Sequence, residues 1–286
     1  MANVLLSTKA VGSTVKLKVN GTAKEFIVVH QGKPSTLYDN SCDGTWLLMK
    51  DIYENRQWHN SNVNNLENST IHSYLNGTFL NLFESNIRDA IKQVKLPYRK
   101  NGGSGGSDQS GANGLLCKIF LLSGYEIGFT TSDNPYFPVD GAKLSYFEAG
   151  TGSSALNKRI AYLNGSAAYW WLRSPYTIST NGVWSVSSNG NFSSYNASRS
   201  YGIRPALVLP STLLVSDDGT VSTNTPPTIT STSGASGVNL GSKTAAFSFK
   251  YTPNDADGDK LTVTEKLDGV VKKTRTNITS GTQLTF

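Results

Sequence analysis

Residues 169–209 read YWWLRSPYTISTNGVWSVSSNGNFSSYNASRSYGIRPALVL, and this stretch constrains the fold more than any other. A rigid frame of aromatic and arginine side chains closes around a run rich in Asn, Ser and Tyr. Trp170 and Trp171 are neighbours, so in a strand they point to opposite sides: one enters the core on a given face, and the other is expected to pack under the helices or line a groove. Arg173 and Arg204 sit beside the breaks Ser174-Pro175 and Arg204-Pro205, where the residue before proline is held extended. Next to indole rings and prolines, both arginines are expected to brace the fold by stacking and hydrogen bonding. Between the two ends, Trp184, Asn189, Asn191, Phe192, Tyr195, Asn196, Arg199 and Tyr201 alternate with Ser and Gly. Aromatic rings give contact area at low entropy cost and small polar residues adapt their hydrogen bonds, which is the composition of a recognition surface. These side chains are the expected ligand-binding residues.

The rest of the chain is read around that surface. At 286 residues it suits one large domain and a smaller one. Apolar residues make up 37% and charged residues 16%, low values that point to a β-rich or loop-rich protein rather than a helical one. Val15, Leu17 and Val19 alternate ahead of an Asn20-Gly21 turn and a second run, Glu25–His30, which together predict a hairpin. Thr45–Lys50 reads as a short buried strand. Residues 69–93 carry the helical signal: Asn68 and Ser69 offer cap oxygens, Ile71, Tyr74 and Leu75 share a face, Asn76-Gly77 reads as a stop, and Ile87, Ile91 and Val94 mark a second helix. The Gly-rich run 101–114 is expected to be a flexible loop, since no strand-to-helix context makes it a phosphate cradle.

Strand-like runs resume at Leu116–Leu122 and at 203–209. A turn-forming segment at 216–227 leads to the expected division: a domain over 1–218, a linker over 219–227 and a β module over 228–286. In that module Ala246, Ser248 and Lys250 alternate with Phe247, Phe249 and Tyr251. Roughly 60 residues fall short of the ~100 of an immunoglobulin-like domain, so an incomplete sandwich in a truncated chain is expected.

Several function classes are disfavoured. The net charge is +6, but the basic residues are dispersed, so no stripe tracks a phosphate backbone and nucleic acid is not an expected partner. Cys42 and Cys117 cannot build a disulfide framework and have no zinc spacing; buried thiols are expected. The N-terminus lacks a basic segment followed by an apolar run, and no run of about eighteen apolar residues occurs, so neither export by the usual signal nor membrane insertion is expected. His30, His59 and His72 are scattered and no nucleophile motif appears, so no enzyme is expected. Asp255, Asp257 and Asp259 supply hard oxygens. However, an EF-hand register places Lys260 and Lys266 where Gly and Glu are required, so a polar turn is expected, with a cadherin-type calcium site as the alternative. No metal and no cofactor are expected.

Five segments taken in order carry a resemblance: Leu66–Phe83, Ile91–Tyr98, Lys118–Ser123 with Glu126, Tyr169–Pro175 (YWWLRSP) and Gly202–Leu207 (GIRPAL). Across about residues 10–215 they resemble an uncharacterised domain family of Gram-positive bacteria and their phages. That family is similar to the C-type-lectin-like fold of formylglycine-generating enzymes and of the variable proteins of diversity-generating retroelements. The resemblance implies an α+β class: a C-type-lectin-like domain, with two helices against twisted antiparallel sheets and ligand-binding residues on the final sheet, followed by a small all-β immunoglobulin-like sandwich. The calcium and sugar motifs of true C-type lectins are absent, and so is the active-site cysteine pair of the oxidases.

The expectation is therefore a non-enzymatic phage virion protein of tail, baseplate or capsid surface, made in the host cytoplasm. It would bind a host cell-surface glycan or protein, contact other virion proteins and form a homo-oligomer on a symmetric particle. A purely structural decoration protein and a bacterial cell-surface adhesin are the alternatives.

Overall fold

The computed structural model describes residues 3–223, 225–231, 245 and 248–286. The protein is β-rich, with 38% of residues in strands and 14% in helices. It forms two compact units, Met1–Ser222 and Thr223–Phe286. The boundary lies beyond residue 218 because Val221–Thr223 joins Leu213–Val215 and Val4–Leu5 in a three-stranded sheet. The turn between them is held by Asp218, whose carboxylate accepts the Thr220 amide at 3.0 Å and the Thr220 hydroxyl at 2.7 Å. Residues 219–223 are thus structured rather than linker.

At the centre of the first unit lies an antiparallel sheet in the order Ile119–Phe120, Ala206–Leu209, Thr45–Met49, Thr22–Gln31, Thr14–Val19. Every residue of Thr45–Met49 is buried. Its continuous apolar run belongs to a strand covered on both sides, since side chains alternate between faces. Phe26, Val28, Leu47 and Leu207 enter one core, while Ile27, Val29, Trp46, Leu48 and Val208 enter the other. The predicted hairpin forms, and Asn20 (φ 49°) and Gly21 (φ 71°) both take the left-handed conformation that a tight two-residue turn requires.

The helical region is shorter and less regular than its periodicity predicts. Ser69 caps it by accepting the His72 amide at 3.1 Å, and the chain runs as an α-turn Thr70–Tyr74, a π-turn Leu75–Phe79 and a 3-10 turn Leu80–Leu82. Asn76-Gly77 does not stop it. Instead the Asn76 amide behaves as a piece of strand backbone: Oδ1 accepts the Lys118 and Ile119 amides at 2.7 and 3.2 Å, and Nδ2 donates to the Ile119 carbonyl at 2.9 Å. These tertiary bonds override the local turn preference. The second helix, Ser85–Ala90, ends before Ile91, and Val94 begins the strand Val94–Leu96.

The glycine-rich run is folded, which corrects the flexible-loop expectation. Tyr98–Lys100 pairs with Ser107–Gln109, and Asn64 ties down the connection by accepting the Gly103 amide at 2.9 Å and donating to the Ser179 and Gly182 carbonyls at 2.9 and 2.7 Å. A Cβ on Gly103 would lie 2.1 Å from the Tyr176 carbonyl oxygen, so glycine serves close backbone approach here rather than flexibility.

In the second unit, Thr228–Ser231, Lys250–Asn254 and Leu284–Thr285 form one sheet, and Leu261–Leu267 pairs with Val270–Ile278 across an Asp268-Gly269 turn. Of the expected alternation, Ala246 and Phe247 lie outside the described residues; Tyr251 is buried and Lys250 exposed. The Tyr251 hydroxyl donates to Glu265 at 2.6 Å and Arg275 Nε donates to the same oxygen at 2.9 Å. Asp255 is spent on its own turn, accepting the Asp257 and Asp259 amides at 3.0 Å each. Among the described residues no three His, Cys, Asp or Glu side chains converge as a metal site.

Candidate binding surface

The residues of the 169–209 stretch build a second five-stranded sheet in the order Phe192–Asn196, Gly182–Val186, Trp170–Pro175, Ser200–Ile203, Glu54–Gln57. Trp171 enters the core that holds Ile71 and Phe79, and Trp170 enters the one that holds Trp46 and Phe129. The adjacent indoles therefore grip opposite faces, and their N–H groups donate to the Arg56 and Arg159 carbonyls at 2.9 Å each.

Both arginines of the frame brace the fold. Arg173 donates to Glu126 through Nη1 at 2.5 Å and Nη2 at 2.7 Å, and also to the Pro97, Leu121 and Asp140 carbonyls. Glu126 further accepts the Tyr38 hydroxyl at 2.8 Å and the Ser123 amide at 2.9 Å. Both members of this pair are buried, and a charge removed from water persists only when paired and hydrogen-bonded. Burial alone would lower the Arg173 pKa, but the Glu126 carboxylate outweighs it and the net shift is upward. Beside them, burial pushes the Asp140 carboxyl up to about 7; one oxygen accepts the Ser174 hydroxyl at 2.7 Å and the other has no partner. Arg204 donates to the Met49 carbonyl at 2.8 Å and lies 5.1 Å over the Trp170 ring.

The expected ligand-binding residues separate into three groups. Trp184 and Phe192 are corrections. Trp184 is 3% exposed, stacks on Phe137 at 4.2 Å and donates its N–H to the Tyr136 carbonyl. Phe192 packs edge-on against Phe129, Phe137 and Trp184. Trp184 is core, because it and Val186 face the same side as Trp170, and the half-buried Phe192 packs against that core from the same side. Asn189 and Asn191 shape the hairpin tip, where Asn189 accepts the Ser187 hydroxyl and the Asn191 amide, and the Asn191 side chain accepts the Phe192 amide.

Tyr195, Arg199 and Tyr201 come together at the open side, while Asn196, the next residue after Tyr195 in the strand, belongs to the other face. The rings of Tyr195 and Tyr201 lie 4.7 Å apart, and Tyr169 stacks on Tyr201 at 5.3 Å. All three tyrosines are half-buried, while Asn196 and Arg199 are exposed. Tyr195 lies between the other two rings and alters the titration of both. Its pKa is lowered by hydrogen bonds from the Ser193 hydroxyl and then from Tyr169, and that of Tyr169 is raised by donating to it.

Next to this surface, Asn55, Arg56, Gln57, Asn60, Thr70 and Ser200 line an open cleft of about 420 Å³. The strand Glu54–Gln57 carries it there by pairing with Ser200–Ile203, which sets Gln57 opposite Ser200 and Arg56 opposite Tyr201. Arg56 is occupied: Nε and Nη2 donate to Glu54 at 3.0 and 2.9 Å, and its guanidinium lies 3.5 Å over the Tyr74 ring.

Fold and surface define a β-rich domain whose polar, aromatic face stands on a buried ionic and indole frame. Residues 43–211 match a family described as a domain of unknown function, DUF6273, and the chain belongs to that family. No curated protein and no solved structure matches it.

Proposed function

We propose that this chain is a non-enzymatic phage virion protein that binds a host-surface glycan or protein through the face formed by Tyr169, Tyr195, Arg199 and Tyr201. The observation that carries this reading is the cluster of three packed tyrosine rings beside an exposed Arg199 that has no ion-pair partner among the described residues. Half-exposed rings held by a stiff sheet offer contact area without an ordering cost on binding. In this reading the first unit is C-type-lectin-like, with short helical segments against antiparallel sheets and the final sheet bearing the ligand surface. The second is an immunoglobulin-like module that attaches or extends it. Modest affinity per copy is raised by multivalency on a symmetric particle, where the chain contacts other virion proteins.

The burial of Trp184 and the inward packing of Phe192 narrow the surface and favour, as a second reading, a structural decoration protein whose tyrosine face packs on a neighbouring virion chain. Binding of the fluorescently labelled chain to a panel of Gram-positive bacterial cells separates the two. Tyr195→Ala/Tyr201→Ala should weaken cell binding at least about tenfold, the cost of losing aromatic contacts worth about 1.4 kcal/mol. Binding equal to that of the parent chain, or to none of the cells, overturns the host-ligand reading.

A further inference from the structure

We propose that the cleft beside the tyrosines is a subsite for an uncharged saccharide unit, an inference that rests on the host-ligand reading above and assigns its ligand class. Most of the groups that line the cleft keep free hydrogen-bonding capacity. Asn55 and Ser200 have no side-chain partner among the described residues, so each offers both donor and acceptor capacity. Gln57 spends its Nε2 on the Ser198 carbonyl at 2.8 Å, which leaves Oε1 to accept. Asn60 has its Oδ1 beside His59 at 3.1 Å and the Ser61 hydroxyl at 3.2 Å, which leaves Nδ2 to donate. Thr70 is occupied by the Asn60 amide at 3.3 Å.

The free set therefore mixes donors and acceptors, as a sugar hydroxyl that both donates and accepts requires. Its only charge, Arg56, is neutralised by Glu54 and stacked on Tyr74. An anionic ligand would meet no unpaired cation within the cleft, and a cationic one would meet no unpaired carboxylate. An apolar peptide side chain would meet amides and hydroxyls instead of a greasy wall. At about 420 Å³ the space falls in the lower part of the range for small-molecule sites, roughly 300–1,000 Å³, and suits one or two sugar rings. The register sets Arg56 opposite Tyr201 and Gln57 opposite Ser200, so the strand that lines the cleft is the one that borders Tyr201, while Gln57 and Ser200 alternate to the other face of that strand pair.

Saturation-transfer NMR on the whole chain with N,N′-diacetylchitobiose, lactose, maltose and mannobiose tests this, with a glucuronate-containing disaccharide as the charged comparison. At least one neutral disaccharide is expected to bind, the glucuronate compound no better, and Asn55→Ala/Ser200→Ala is expected to weaken the neutral one about tenfold, as the loss of one or two hydrogen bonds implies. Neither side chain has a partner to lose, so circular dichroism of this variant should match the parent. Binding of none of the four, an undiminished affinity in the variant, or a preference for the glucuronate compound overturns the assignment. Cell binding separates this from failure of the wider reading. If cells are held by the Asn55→Ala/Ser200→Ala chain but not by Tyr195→Ala/Tyr201→Ala, the cleft assignment falls and the tyrosine surface stands. If both variants hold cells as the parent does, both readings fall.

Discussion

Replacing Arg173 by methionine tests whether the arginine of WWLRSP is a brace or a ligand contact. The substitution keeps much of the stem's bulk but strips Glu126, which is fully buried, of its cation. It also leaves the Pro97, Leu121 and Asp140 carbonyls without their guanidinium donor. Breaking a buried pair by removing one partner costs about 4 kcal/mol. In a domain of this size each kcal/mol corresponds to roughly 2–4 °C, so the melting temperature should fall by about 8–16 °C. Differential scanning calorimetry reads this directly. Arg173→Met/Glu126→Leu removes both charges and should recover at least half of the loss, with Tyr38 still lacking its acceptor. A single variant melting within about 2 °C of the parent, or a double variant no better than the single one, would refute the brace.

Other outcomes follow from the same geometry. Asp140, pushed up from 3.8 to about 7 by burial, keeps its proton in the folded state between about pH 4 and 7 while the unfolded chain has released it. Its contribution is greatest below the unfolded value, declines as pH rises through that window and is constant above it, a total of about 4 kcal/mol. Asp140→Asn should therefore flatten the decline in urea-unfolding free energy between pH 5 and 8, and an unchanged slope would contradict it. Gly103→Ala forces a Cβ to within 2.1 Å of the Tyr176 carbonyl and should cost about 1–3 kcal/mol by urea denaturation; no loss would mean that the hairpin is not seated there. Trp184→Ala should destabilise by about 3–5 kcal/mol as a core deletion, yet leave cell binding of the folded fraction intact. Loss of binding at full stability would return Trp184 to the ligand surface.

Much of the scaffold was legible. The Asn20-Gly21 hairpin, the buried strand at Thr45–Met49, the opposed indoles and the bracing arginines all follow from local chemistry. The misplacement of Trp184 and Phe192 had a signal that alternation supplies. The register pairs Val183 with Tyr195 and Val186 with Phe192, so a count of two along the strand separates Phe192 from Tyr195. Composition alone treats the whole run as one surface and cannot see its two faces. The cleft was hidden for a different reason. Asn55 and Gln57 reach it only through pairing between strands far apart in the chain. The glycine-rich hairpin misled because its order comes from Asn64 and from backbone contacts with Tyr176 and Ser179, none of which local composition encodes.

Hydrogen–deuterium exchange of the intact chain, alone and with purified Gram-positive cell-wall fragments, tests most directly whether the tyrosine face is where this protein meets its host. Protection is expected over residues 193–201 and 54–60, with the hairpin tip at 187–191 unchanged. Protection confined to other segments, or none with any wall preparation, would contradict the assignment of that face.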